Sequence, residues 1–215
     1  MIVLVSGGTA THRRYWDNQS FGFLLTPRSG NSVKVMSDSG KPWAADNDAF
    51  GGWSRKHELR FSAMLGRMCL HGNRATCKFV VAPDVVADAR ITLEQFAAWE
   101  PFISGSGFPV ALVAQDGLTI ELAPWNKFDA LFIGGTTEFK VSLECERLCI
   151  EAKRLGKWLH IGRVNTFRRV RHFHEIGVDS IDGTCFSKWP DVYFPKFLKW
   201  LEELNARRTF DWVKR

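Results

Sequence analysis

Short, continuously apolar runs alternate with longer segments of helical spacing along most of this chain. The runs are Ile2 to Val5, Phe21 to Leu25, Trp43 to Ala45, Lys78 to Ala82, Pro109 to Ala114, Asp129 to Ile133, Lys157 to Ile161 and Val178 to Ile181. Strands covered on both faces read this way, whereas a half-solvated sheet would alternate apolar and polar positions. Helical spacing marks Arg55 to Leu70, Ile91 to Ile103, Phe139 to Leu155, Val164 to Ile176 and Val192 to Asn205. Gly156 and Gly177 stand where helix C-termini favour a left-handed residue, and Asp191 can cap the last helix. Thr26 to Lys41, rich in Gly, Ser and Asn, reads as a long loop around a possible short strand at Val33 to Met36.

Eight strands alternating with helices predict a parallel α/β fold, most simply a compact, irregular (β/α)8 barrel, with an open doubly wound sheet as the alternative. The 215 residues suit one domain spanning the chain, and no linker, internal repeat or low-complexity tract divides it. Met1 to Val5 is too short for a signal-peptide core and no run is long enough to span a bilayer, so a soluble cytoplasmic protein is expected.

Charge and cysteine content narrow the chemistry. The net charge of +6 leans toward an anionic partner. Arg163, Arg168, Arg169 and Arg171 cluster in sequence, and Arg207, Arg208, Lys214 and Arg215 form a second basic group. Five cysteines (Cys69, Cys77, Cys145, Cys149, Cys185) show no zinc or disulfide spacing; Cys145 and Cys149, four apart, read as helix positions packed on the sheet. His172 and His174 read as surface groups. Trp43, Trp125 and Trp189 stand near strand ends, where one could stack on a base.

The C-terminal ends of parallel barrel strands converge on one mouth. Here they carry Asp46, Asp84, Gln115 with Asp116, Gly134-Gly135, His160 with Arg163, and Asp182. A single Asp at such a position is ordinarily a turn former or helix cap. Three Asp and a Gln on different strands are better explained as a site. Carboxylates sharing one pocket have separated pKa values, so one can serve as nucleophile while another moves protons, as displacement at a sugar anomeric carbon requires. His160 could orient a carboxylate or bind substrate.

The segment Leu131-Phe132-Ile133-Gly134-Gly135, a helix, Leu159-His160-Ile161-Gly162, a second helix, then Gly177-Val178-Asp179-Ser180-Ile181-Asp182 resembles the second half of the tRNA-guanine transglycosylase barrel. That family shows, in the same order, a Gly-Gly strand end, a Met-Gly-Val-Gly-like turn and a Gly-Val-Asp-Met-Phe-Asp-Cys strand carrying its nucleophile. Upstream, Ala114-Gln115-Asp116-Gly117 is similar to its Gln-Gly strand end, Ala82-Pro83-Asp84 to its Phe-Asp-Glu, and Asp46-Asn47-Asp48-Ala49-Phe50 to its Asp-Ser-Gly-Gly-Phe. The resemblance runs from about Trp43 to Thr184.

It implies that Asp182 is the nucleophile and Asp46 the proton-transfer residue, with Asp38 a shorter rival to Asp46. It further implies that Asp84, Gln115 and the Gly134-Gly135 backbone read the purine edge. The family's zinc-binding cluster and tRNA-gripping appendage have no counterpart here. The chain therefore looks more like the compact deazapurine DNA transglycosylases of bacteriophages, which implies a host-cytoplasm location. The expected reaction exchanges guanine in nucleic acid, DNA favoured over tRNA, for a 7-deazaguanine such as 7-cyano-7-deazaguanine, with no cofactor or metal. Arg163, Arg168 and Arg169 would hold flanking phosphates, and the target base would be flipped or single-stranded. A tRNA-modifying enzyme, a nucleosidase or phosphate-binding barrel enzyme, and a non-enzymatic nucleic-acid-binding protein are the competing expectations.

Overall fold

The computed structural model describes residues 1–7, 12–29, 31–49 and 53–213, with side chains through residue 206. Eight parallel strands close into a barrel in sequential order, β1 (Ile2–Val5), β2 (Phe21–Leu25), β3 (Trp43–Ala45), β4 (Cys77–Val81), β5 (Val110–Ala114), β6 (Ala130–Ile133), β7 (Trp158–Ile161) and β8 (Ser180–Asp182). Closure joins the chain's two ends, with Leu4 of β1 in register with Asp182 of β8. The expected fold class is thus the observed one, a (β/α)8 barrel.

The two faces of each strand feed two cores. Leu4, Leu24, Ala44, Phe79, Val81, Ala111, Val113, Ala130 and Phe132 fill the barrel interior. Alternate positions, such as Val3, Phe23, Val80, Leu112, Leu131, Leu159, Ile161 and Ile181, join the larger core beneath the helices. The period of two along β7 and β8 therefore sends Trp158, His160, Ser180 and Asp182 to the inner face. Polar residues on an inner face have no solvent, so each must find a partner inside the barrel or reach its mouth. A register shift between Trp43 and Ala45 interrupts β3–β4 pairing just before Asp46.

The covering helices are α1 (Val33–Asp38), α2 (Arg55–His71), α3 (Ala89–Gly105), α4 (Thr137–Lys140), α5 (Leu143–Arg154), α6 (Phe167–Ile176), α7 (Thr184–Lys188) and α8 (Pro190–Val213). Four sequence expectations are corrected. Val33 to Met36 is a helix, not a strand: Ser32 caps it by accepting from the Val35 N–H, and Val33 and Met36, three apart, bury one face. Phe139 to Leu155 is not one helix, because Val141 breaks it and Ser142 caps a new start by accepting from the Cys145 N–H. Asp191 lies inside the first turn of α8, paired with Arg14 at 2.9 Å and bonded by the Tyr15 hydroxyl, and does not cap it. His174 is buried and bonds Asn205 at 3.2 Å. Gly156 and Gly177 follow helices with φ of 70° and 91°, as expected, and Cys145 and Cys149 are buried. No helix among the described residues is long and apolar enough to cross a membrane.

Candidate active site

A cavity of about 510 Å³ opens at the C-terminal ends of the strands, and Asp46, Asp84, Gln115, Gly134, Gly135, Arg163 and Asp182 all line it. The rival Asp38 sits on α1, exposed and paired with Lys34 at 2.7 Å, away from this cavity. Phe50 and the basic side chains of Arg207, Arg208, Lys214 and Arg215 lie outside the described residues.

The β3–β5 side is a cross-linked carboxylate cradle. Asn47 Nδ2 donates to Asp84 Oδ1 at 2.7 Å and to the Ala82 carbonyl at 2.8 Å, while its Oδ1 accepts from the Ala49 N–H at 2.7 Å. Gln115 Nε2 donates to Asp84 Oδ2 at 2.6 Å, and its Oε1 accepts from the Ala87 N–H at 2.9 Å. Asp84 is thus gripped on both oxygens. Burial still pushes its pKa up, against the lowering effect of these two bonds and of the Arg163 charge. Asp46 is pushed up to about 7, first by burial and then by the charges of Asp182 and Asp84.

The β6–β8 side does the reverse. Asp182 Oδ1 accepts from the Arg163 backbone N–H at 2.8 Å, and Oδ2 meets His160 Nε2 at 3.1 Å. Burial opposes its ionisation, but the His160 bond and charge, the Arg163 N–H and the Lys140 ammonium outweigh it and hold Asp182 below the usual carboxylate range. Its side chain keeps 15% exposure, enough to meet a ligand in the cavity.

His160 is fully buried and lies behind Asp182, between the rings of Phe79 and Phe132 at 5.1 and 4.6 Å. It does not line the cavity, so of its two expected roles orienting a carboxylate is the one its position allows. The direction of the hydrogen bonds follows from donor inventory. Trp158 Nε1 can only donate, and it donates to Ser180 Oγ at 2.8 Å. The Ser180 hydroxyl also bonds His160 Nδ1 at 2.8 Å, and the opposite ring nitrogen, Nε2, faces Asp182. A chain of bonds thus runs from the barrel interior to the mouth.

Glycine is required at the β6 strand end. A Cβ on Gly134 would fall 2.7 Å from both Gln115 Nε2 and Val113 Cγ1, and Gly135 adopts φ 73° with Asp116 Oδ2 beside it. The Gly134 N–H is committed to the Ala114 carbonyl at 3.0 Å, so of the pair only the Gly135 N–H could read a base edge. Asp116 accepts from the Thr136 N–H and hydroxyl at 2.9 and 2.6 Å, tying β5 to the turn after β6.

The expected phosphate-holding arginines, Arg163, Arg168 and Arg169, together line a second cavity, while Arg171, their neighbour in the basic run, turns to Glu175 at 3.0 Å. Trp43 is fully buried and bonds the Asn73 carbonyl, which removes it as a stacking platform; Trp189 remains exposed. Asp179 accepts from Lys153 and from the Leu159 N–H, a structural role.

Sequence reasoning missed Lys140 and Asn47. Lys140 lies in the segment whose spacing predicts one helix from Phe139 to Leu155; with the break at Val141 it is buried, its Nζ donating to the Gly162 carbonyl at 2.6 Å. Its pKa is lowered to about 8 by burial and by Arg163 and Arg169, against the pull of Asp182. Asn47 stands directly after a candidate acid, and that adjacency was the available signal. Among the described residues no group of three His, Cys, Asp or Glu is placed to hold a metal ion.

Fold and site together define a closed parallel (β/α)8 barrel with a carboxylate-lined mouth. Neither a family model nor a curated protein matches the sequence.

Proposed function

We propose that the protein is a base-exchange transglycosylase that replaces guanine in nucleic acid, DNA in preference to tRNA, with a 7-deazaguanine. The observation that carries this reading is the opposite tuning of two carboxylates on one cavity, Asp182 held low and Asp46 raised to about 7. An ionised carboxylate suits attack on an electron-poor anomeric carbon, and a group titrating near neutrality can both give and take a proton. The motif resemblance at Gly134-Gly135 and Gly177 to Asp182 supports the same assignment.

In the first step an Asp182 oxygen bonds to C1′ of the target nucleotide as the bond from C1′ to guanine N9 breaks. Asp46 gives a proton to the departing purine. In the second step the entering 7-deazaguanine loses a proton to Asp46, its N9 bonds to C1′, and the ester to Asp182 breaks. Both residues end in their starting states. Asp84, an acceptor held rigid by Asn47 and Gln115, faces the adjacent N–H donors of the purine edge, and Gln115 keeps one Nε2 hydrogen for the base.

The test uses single-stranded DNA and RNA oligonucleotides, labelled guanine and 7-cyano-7-deazaguanine. Exchange into DNA and a denaturation-resistant adduct are expected with the wild type, while Asp182→Asn binds the strand but forms no adduct. Release of guanine without exchange would make the protein a nucleosidase. No exchange into either nucleic acid would end the proposal.

A further inference from the structure

Beside the carboxylate cavity lies a second, of about 470 Å³, formed between α4, the turn after β7, and α6. Lys140, Arg163, Arg168, Arg169 and His172 line it, and among the described residues no carboxylate does. Thr137 and Thr166 add hydroxyls to its wall. Lys140, Gly162 and Arg163 line both cavities, so they form the partition between them.

We propose that this second cavity is a phosphate subsite, holding a backbone phosphodiester of the strand whose target nucleotide occupies the carboxylate cavity. Its location rests on the base-exchange reading above. Like charges gathered on one wall repel one another, and the repulsion is felt at Lys140, where Arg163 and Arg169 add to the effect of burial in disfavouring the ammonium against the pull of Asp182. An anion seated among them relieves that cost. Guanidinium groups match phosphate oxygens in pairs, and hydroxyls complete the remaining acceptor sites. The shared partition fixes which anion fits. Arg163 lines both cavities; its backbone N–H donates to Asp182 at 2.8 Å and its guanidinium to the Gly135 carbonyl at 2.9 Å. With C1′ at Asp182, the anions only a few bonds away are the phosphates flanking that same nucleotide.

Arg168 is exposed and Arg169 half-buried, so removing their charge leaves the core untouched. The experiment places one neutral methylphosphonate at each linkage in turn along a fluorescent single-stranded deoxyoligonucleotide with one guanine, and reads affinity by anisotropy. One linkage beside the guanine should weaken wild-type binding by about 10-fold or more, the size of a lost charge-assisted contact. In Arg168→Gln/Arg169→Gln that linkage effect should shrink to under about 2-fold, and the salt slope of binding should fall by about 0.7, the value for one lost single-strand phosphate contact. Equal sensitivity at all linkages, or an unchanged linkage effect in the double variant, overturns the subsite. Inorganic phosphate that competes at oligonucleotide concentrations would make it a free-anion site and overturn the backbone assignment. Because these readouts need no turnover, failed guanine exchange with the linkage effect intact removes the base-exchange reading alone, and the converse removes only the subsite.

Discussion

The two sides of the barrel mouth treat a carboxylate in opposite ways. On the β3–β5 side burial wins: it raises Asp84 against its amide bonds and the Arg163 charge, and raises Asp46 together with the charges of Asp182 and Asp84. Across the cavity the same kind of side chain, Asp182, meets a backbone N–H, an imidazole and an ammonium, and it is lowered. The chemistry available to an acid is therefore set by which strands flank it. Two like groups given different surroundings become a proton carrier and an anion, which is the division of labour a displacement at an anomeric carbon needs.

The hardest blow to this comparison is removal of the lowered acid. Asp182→Asn should reduce exchange by about 10⁴-fold or more, as expected when a reaction loses its covalent partner. It should also lower the pKa of Asp46 by removing a neighbouring charge, which carbonyl-region infrared or NMR titration would detect.

Asp46→Asn should cost about 10² to 10⁴ in rate, the range for a lost general acid–base group, yet stabilise the fold. The folded pKa near 7 lies above the ordinary aspartate value of 3.8, so between about pH 4 and pH 7 the unfolded chain releases this proton first and stability falls as pH rises. The amide cannot ionise and escapes that loss. Thermal unfolding should show a gain of about 1 to 3 kcal/mol at pH 8 that vanishes below about pH 4. A variant equally stable at both pH values would show that Asp46 is not raised.

Smaller effects probe the basic side. Lys140→Met removes a charge that lowers Asp182, so the acidic limb of the rate profile should move to higher pH while the basic limb stays. The Gly162 carbonyl also loses its donor, at a cost of about 1 to 3 kcal/mol in stability. Smallest is the inner chain: Trp158→Phe leaves Ser180 without its donor and should lower the rate constant by about 3- to 10-fold, a hydrogen bond's worth, with little change in substrate KM. A change in KM alone would mean that the chain shapes the pocket and does not aim Asp182.

Most of the frame was legible because continuously apolar strands are a strong signal. All eight fall where the runs predict, and β8 alone is displaced noticeably, to Ser180–Asp182, since Val178 packs beneath a helix before the strand begins. The short helix α1 was hidden because Val33 and Val35 are β-branched at alternate positions, and only the Ser32 cap and the burial of residues three apart decide for a helix. At the site, the strand-end positions of Asp46, Asp84, Gln115 and Asp182 were readable from the order of elements alone. The partners that tune them were not. Lys140 reaches Gly162 and His160 reaches Ser180 across separations of 22 and 20 residues, and no local pattern encodes such contacts. Arg163 lies in the turn after β7, with φ 62°, and Arg168 and Arg169 lie on α6, so their shared cavity joins two elements and is not a helix face that spacing would reveal.

The pairing of Leu4 with Asp182 couples assembly to reactivity. The first and last strands are the farthest apart in the sequence, so their contact is the one with the largest loop-closure cost to overcome. Ile2 bonds the Asp179 carbonyl at 2.9 Å, and through β8 that seam positions both Ser180 and Asp182. A barrel left open along this seam would keep most of its hydrophobic layers, yet hold Asp182 on a loose edge with its partners unaligned. Under the proposed reaction, alignment of Asp182 with its partners would thus come with completion of the ring.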